Sequence, residues 1–364
     1  SVLHVNITHD CIQTGQKLVP FGLFMPRILL TGFEPFGKNT TNVSQEILER
    51  IESEFVISDP WSDLRANNCG DTAKVSVEKL LLTVDEVGSN AVAKRVNSNE
   101  LWDLIIHMGL CESCEYIRFE LVARNKIDMK IPDNSGRQLS NRLIGDSNLF
   151  ADKSFDKSLN YPPIENLVLS NDAGTYLCNE TYYRTLKSLS NIPAGESSKA
   201  CFIHFPSEDK ITVEESIKMV KYVIGRIFFK PVIDVVGALM IRDNKMMLAR
   251  RNDDSEMAGL WEFPGGKIEH GESKFEAIIR EMDEEFGWTV SPIRLVTHIY
   301  HEYSDFAINL NIIEVSLEIN TIIEPNSRWT SHDEVDWFDS VNGIEIAGAD
   351  YEIAVSVLSG FNAK

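Results

Sequence analysis

Three glutamates, Glu281, Glu284 and Glu285, stand at i, i+3 and i+4 in the stretch Arg280-Glu281-Met282-Asp283-Glu284-Glu285-Phe286. On a helix that spacing puts three carboxylates on one face. Like charges so placed repel, and the arrangement makes sense when a divalent cation neutralises them. An all-oxygen ligand set suits Mg²⁺, which keeps several of its waters and bridges to substrate phosphates. A solvated acidic helix face is the plain alternative. It would leave unexplained why Gly266, Glu272 and Arg280 precede the glutamates at regular offsets, with five residues between the first two and seven between the next. Gly265 and Gly266 let the backbone approach a metal and phosphates, and Gly287 can end the helix in a left-handed conformation. The chemistry expected is a metal-activated water attacking phosphorus, with the cation stabilising charge on the leaving phosphate.

These residues need elements to hold them. From Val232 the pattern gives two strands (232–242 and 245–250), a glycine-rich loop, a polar helix (273–286), further strands and a last helix near 350–359. The preceding part differs. A short apolar strand from Arg27 to Thr31 leads through a Gly/Pro-rich turn to a helix over about 42–54. Strand-like runs at 75–84, 101–108, 164–170 and 200–205 then alternate with helical patterns at 88–98, 177–189 and 211–227. That alternation predicts a parallel sheet flanked by helices. Pro231 marks the boundary, because a helix usually stops before proline. The chain of 364 residues is thus expected to form an α/β domain over 25–229 and a second domain over 230–364. Residues 1–24 lack a basic segment followed by an apolar core, and are expected to be a leader outside either core.

A formal net charge of -20 argues against binding to nucleic-acid polymers, whose phosphates need a basic surface. Every apolar run is too short to span a bilayer. Six cysteines, at 11, 69, 111, 114, 178 and 201, do not form a spaced disulfide framework, so a reducing cytoplasm is expected. Cys111 and Cys114 make one C-x-x-C. With no second pair for a zinc ribbon, two loop cysteines are the plain reading.

Gly259-Leu260-Trp261-Glu262-Phe263-Pro264-Gly265-Gly266-Lys267, with the glutamate pattern that follows, resembles the MutT-type branch of the Nudix family over about 232–360. The resemblance implies an α/β/α sandwich with a mixed sheet. It also implies Mg²⁺-dependent hydrolysis of a (deoxy)nucleoside triphosphate, oxidised dGTP or CTP-like, to the monophosphate and pyrophosphate, with Mn²⁺ an alternative metal. It makes Gly266, Glu281, Glu284 and Glu285 metal ligands, with Glu284 also catalytic, and Arg250 and Lys267 candidate phosphate contacts. Where relatives carry a Glu before a His, Ser331 precedes His332, and Glu334 is a substitute candidate for the missing carboxylate. Asp350 falls where this branch reads the base edge; an ionised carboxylate accepts but cannot donate, which bears on the base preferred.

Four segments of the first domain resemble pyroglutamyl peptidase I. They are Thr31-Gly32-Phe33-Glu34-Pro35-Phe36-Gly37, Phe119-Glu120-Leu121-Val122-Ala123-Arg124-Asn125, Ser170-Asn171-Asp172-Ala173-Gly174-Thr175-Tyr176-Leu177-Cys178-Asn179, and Phe202-Ile203-His204-Phe205-Pro206. The resemblance spans about 25–228 and implies an α/β/α fold with a mostly parallel sheet. It makes Cys178 the nucleophile, His204 the general base and acid, and Glu120 the residue fixing its tautomer. Cys178 falls where an Ala-Gly turn enters a helix, and a helix N-terminus with a nearby imidazole favours a thiolate. Phe33, Phe36 and Tyr176 match positions lining a flat apolar pocket for a lactam ring, with Asn42 beside it. Glu112-Ser113-Cys114 replaces the family's Gly-Gly-Arg.

Together these readings predict a cytoplasmic bifunctional hydrolase acting on a small nucleotide and an N-terminal pyroglutamyl peptide, with self-association through the first domain left open. Two rivals remain: a Nudix enzyme whose first domain is a silent scaffold, and a nucleotide-sensing Nudix domain that regulates the peptidase.

Overall fold

Aliphatic and β-branched runs in this chain become strands buried on both faces where helices cover them, and glycine or proline ends them. The computed structural model describes residues 11–14, 17–20, 25–65, 71–193, 195–254, 257–318 and 329–362. The described residues divide into two compact units, 11–60 with 71–230, and 61–65 with 231–362.

The first unit runs β1 (Cys11–Thr14), β2 (Lys17–Pro20), β3 (Arg27–Phe33), α1 (Val43–Arg50), β4 (Glu54–Ser58), β5 (Thr72–Leu82), α2 (Glu86–Asn97), β6 (Leu104–Leu110), β7 (Ile117–Glu120), β8 (Val122–Ala123), β9 (Leu149–Phe150), α3 (Ser154–Asn160), β10 (Leu167–Ser170), α4 (Leu177–Leu189), β11 (Lys199–Phe205) and α5 (Val213–Phe228). Of the 1–24 stretch, only the backbone of β1 and β2 lies within the described residues, as an antiparallel pair. The main sheet has the order β10-β7-β11-β6-β3-β5-β4. It is parallel except at β4 on β5 and β7 on β11, so the mostly parallel sheet expected is present. Helix α2 packs on α4, while α1 and α3 pack on α5. Between the sheet and the α2/α4 layer lie Leu29, Val92, Val96, Ile105, Leu189 and Ala200.

The second unit runs β12 (Val232–Leu239), β13 (Ile241–Arg242), β14 (Lys245–Arg251), β15 (Trp261–Glu262), β16 (Gly265–Lys267), α6 (Lys274–Phe286), β17 (Val290–Glu302), β18 (Ala307–Leu317), β19 (His332–Phe338) and α7 (Gly348–Asn362). One sheet has the order β16-β12-β18-β17, with β12 and β18 parallel and the rest antiparallel; the other joins β13, β14, β15 and β19. Helix α6 buries Ala277, Ile278, Met282 and Phe286 against Val236, Ala238, Met247 and Val315. Helix α7 buries Ala349, Ile353 and Leu358 against Leu239, Leu248 and Ile312. Among the described residues no helix is long and apolar enough to cross a membrane.

Candidate active sites

In the first unit, strands β6, β7 and β11 bring three distant segments together. Glu120 ends β7 and is wholly buried. Its Oε1 lies 2.8 Å from Nδ1 of His204 on β11. Cys178 is the second residue of α4, after the N-cap Tyr176, and its thiol is hydrogen-bonded to His204. Burial alone pulls His204 down and is the largest single influence. The hydrogen bonds and charges of Cys178 and Glu120 together outweigh it and raise His204 to about 9. Gly109 of β6 lies beneath this group: a Cβ there would stand 3.0 Å from Cys178 Sγ and 2.9 Å from the Phe202 ring. A thiol, an imidazole and a carboxylate in this sequence can take a proton from sulfur and return it to a leaving amine.

Phe33 is buried at the end of β3, and Phe36 and Tyr176 pack against the same cluster, their ring centroids 6.0 Å apart. Asn42, expected beside the lactam pocket, has a structural role in the fold. It is the N-cap of α1: Oδ1 accepts from Ser44 N (3.1 Å) and Ser44 Oγ (2.8 Å), and Nδ2 donates to Glu34 O (3.2 Å). Its amide is used in holding the 33–37 turn.

The reading of Cys111 and Cys114 as two loop cysteines needs correcting, because they form a disulfide. The turn in which Cys114 N donates to Cys111 O brings their Cα atoms to 5.4 Å, within bridging range. The bridge sits in the segment that replaces the family's Gly-Gly-Arg. Cys111 N donates to Phe205 O, one residue beyond His204.

In the second unit, α6 begins at Ser273 with a capping box to Glu276 and ends at Gly287 in the left-handed region, φ 70°. This leaves Glu281, Glu284 and Glu285 off the buried face. Arg280 ties the preceding loop to the helix: Nη2 donates to Glu272 Oε1 (2.6 Å) and Lys267 O (2.8 Å), and Nη1 to Glu281 (2.8 Å) and Glu284 (3.1 Å). Gly266 lies so close to the Glu281 carboxylate that a Cβ would fall on it. Burial is the main cause that raises both Glu281 and Glu285 above the ordinary carboxylate range.

The residues present fit Mg²⁺. Glu285 Oε2 is buried without a hydrogen-bond partner, an acceptor that a cation would satisfy. Among the described residues no three acidic, histidine or cysteine side chains converge on one point. A hydrated Mg²⁺ held by one or two carboxylates asks for no such closed cage.

The other expected site residues are placed by their own partners. Arg250 is paired across β14 and β19 with Asp333 (2.9 Å) and Glu334 (2.7 Å), which occupies the substitute carboxylate as well. Lys267 is exposed beside Gly266. Asp350 is buried at the start of α7, accepting from Phe263 N at 2.9 Å; burial first, then the Glu262 carboxylate, raises it to about 7. Sequence reasoning missed the group beside Glu285. Ser331 donates to the Glu285 carboxylate, His332 Nε2 is 2.9 Å from Glu262 Oε1, and Arg251 Nε is 2.8 Å from Glu262 Oε2. The adjacency of His332 to Ser331 was visible; its pairing with a residue 70 positions away was not.

Comparison with known proteins agrees with both halves. A family model described as "Pyroglutamyl peptidase" matches residues 26–221, and one described as "NUDIX domain" matches residues 235–343. A pyrrolidone-carboxylate peptidase of Thermococcus litoralis is 30% identical over 188 residues, 50% of this chain and 77% of its own. An 8-oxo-dGTP diphosphatase of Proteus vulgaris is 35% identical over 88 residues, 24% of this chain and 79% of its own. A CTP pyrophosphohydrolase of Escherichia coli is 43% identical over 79 residues, 22% of this chain and 58% of its own length. The chain therefore belongs to the pyroglutamyl peptidase family through residues 26–221 and carries a Nudix domain over 235–343, two hydrolase families in one polypeptide.

Proposed function

We propose that the chain is a bifunctional hydrolase, with residues 25–229 as a pyroglutamyl-peptidase domain and 230–364 as a Nudix domain acting in the cytoplasm. The observation that carries the first activity is the line from the buried Glu120 and His204 to the half-buried Cys178. Cys178 sulfur attacks the carbonyl carbon of an N-terminal pyroglutamyl group, and His204 takes the thiol proton and passes it to the departing amine. Water then cleaves the thioester, with His204 accepting its proton, and pyroglutamate leaves. Glu120 holds the imidazole in the tautomer that faces sulfur. Phe33, Phe36 and Tyr176 supply the apolar walls for the lactam ring.

For the second activity, Gly266 through its carbonyl and Glu281, Glu284 and Glu285 would hold Mg²⁺, or Mn²⁺. Bound there, the ion neutralises phosphate charge and lowers the pKa of water. The substrates proposed, oxidised dGTP or CTP-like triphosphates, follow the names of the relatives. Cleavage by water yields the monophosphate and pyrophosphate. Arg250 and Lys267 are phosphate contacts in this proposal, and Asp350 reads the base.

The test is pyrophosphate release from a nucleotide panel with Mg²⁺ in the wild type and Glu284→Gln, beside pyroglutamyl-amide cleavage in the wild type and Cys178→Ala. Loss of each activity only in its own variant supports both halves. Nucleotide binding without pyrophosphate release would make the Nudix domain a sensor, and an inert Cys178 would make the first domain a scaffold.

A further inference from the structure

Arg137 joins two buried carboxylates that belong to different walls of the proposed lactam pocket. Its Nε donates to Asp133 Oδ2 at 3.0 Å, and its Nη1 and Nη2 donate to Glu180 at 3.1 and 2.6 Å. The Asp133 side chain is fully buried, that of Glu180 is 2% exposed, and Arg137 is 16% exposed. Glu180 stands one helical turn after Tyr176, to whose carbonyl its N–H is bonded. It is therefore fixed to the turn that carries both Tyr176 and Cys178.

The Asp133 side is tied to the opposite wall. Asp133 Oδ1 accepts from Ser135 N, Ser135 Oγ and Arg137 N, which closes the 133–137 turn. From that turn Asn134 Nδ2 reaches Pro35 O at 3.2 Å, next to Phe36. One residue before it, Pro132 O accepts from Tyr176 OH at 3.1 Å. Among the described residues the guanidinium is the only charged bridge between the turn and α4, because Arg184, the other cation on Glu180, reaches Glu86 and Asn90 rather than Asp133. Planar two-sided donation of this kind is a property of arginine that lysine reproduces only in part.

We infer that Arg137 is a positioning residue that sets the separation of the Phe36 and Tyr176 walls, and so the affinity for the pyroglutamyl ring, without touching the thiol–imidazole chemistry. The inference rests on the peptidase reading of Cys178. Removing the guanidinium leaves Asp133 buried without its cation and lets the 131–137 turn part from α4, while Glu120, His204, Gly109 and Cys178 keep their contacts.

The experiment measures the rate at which iodoacetamide alkylates Cys178, with and without 2-pyrrolidone as the free γ-lactam, together with kcat and KM on a pyroglutamyl amide, in the full chain and in Arg137→Met, Arg137→Lys and Glu180→Gln. In Arg137→Met about tenfold more 2-pyrrolidone is expected for the same protection, and KM is expected to rise by a similar factor. The unprotected alkylation rate and kcat should stay within about twofold, and lysine should restore part of the loss. Glu180→Gln keeps Arg137 on Asp133 and weakens the same bridge, so it serves if Arg137→Met fails to fold. Protection and KM equal to wild type in both variants would overturn the inference. So would a parallel fall in alkylation, kcat and protection, which would place Arg137 in the fold or the thiol machinery. No protection in the wild type would instead remove the lactam pocket itself, and the inference with it.

Discussion

Glu285 Oε2 and His332 Nδ1 stand 3.5 Å apart, both buried and neither with a hydrogen-bond partner. The imidazole is anchored from its other side by Glu262 and stacked on Phe286, with ring centroids 5.1 Å apart. Glu285 thus presents a desolvated, unsatisfied acceptor beside a fixed neighbour, an arrangement that costs stability until a cation arrives.

Glu285→Gln should therefore separate stability from activity. Pyrophosphate release with Mg²⁺ is expected to fall by on the order of 100-fold, as for loss of a group that stabilises transition-state charge. In metal-free buffer the variant should melt no lower than the wild type, and Mg²⁺ should raise the wild-type Tm by more than that of the variant. Calorimetry with and without EDTA checks both, and a variant that melts lower without metal would contradict the account.

Glu120→Gln keeps the shape of the buried group and removes its charge. With one of its two raising partners gone, His204 should titrate lower, and pyroglutamyl-amide hydrolysis at pH 7 should fall by about 10²-fold. The sign for stability follows from a pKa that is higher folded than unfolded. The wild type gains most below about pH 6.5, the ordinary histidine value, and loses that gain as pH rises through about 9. Thermal melts of both proteins between pH 6 and 10 should converge at the alkaline end.

Gly109→Ala places a methyl group against Cys178 Sγ and the Phe202 ring. The expected cost is about 1–3 kcal/mol of stability by overpacking. The alkylation rate of Cys178 should fall with it as the sulfur is displaced from His204. Denaturant melts and a timed iodoacetamide reaction measure the two effects separately.

Asp350→Asn removes a buried acid raised to about 7 by burial and by Glu262. A raised carboxyl contributes stability that is full below its ordinary value of 3.8 and lost as pH rises through 7. The wild type should thus lose stability between pH 4 and 8 relative to the variant. The asparagine, which can donate as well as accept, should also shift the order of preferred bases in the nucleotide panel.

Thiol labelling should be ordered. Among the described side chains Cys178 and Cys201 are free, but Cys201 is wholly buried and its thiol is pushed up by that burial. Iodoacetamide should modify Cys178 first and leave Cys201 untouched in the folded protein. Cys111 and Cys114 should react only after reduction. Peptide mapping by mass spectrometry reads the order.

Much of this architecture was legible because it rests on local patterns. The helix expected over 177–189 is α4 residue for residue, and the glutamate spacing led directly to one face of α6. The helix expected to reach residue 54 stops at Arg50, because the chain must turn before pairing Glu54–Ser58 with β5. Strand β7 went unread: four residues, of which only Arg118 is exposed, carry too little periodicity to distinguish a strand. What could not be read at all are pairings between distant segments. The sequence did not show that Arg250, a candidate phosphate contact, pairs with Asp333 and Glu334 of β19, or that Asn42, expected beside the lactam pocket, caps α1.

The reversed course of β7 beside β11 has a consequence for how a line of descent could lose or keep the peptidase. Glu120 faces Phe202 in the ladder and reaches His204 diagonally. Side chains alternate along a strand, so a slip of one residue would turn Glu120 to the opposite face. An insertion directly before Glu120 in β7 would thus silence the domain at a stroke while leaving every catalytic residue in the gene, whereas the same change between residues 138 and 148 would leave the alignment of acid and base intact.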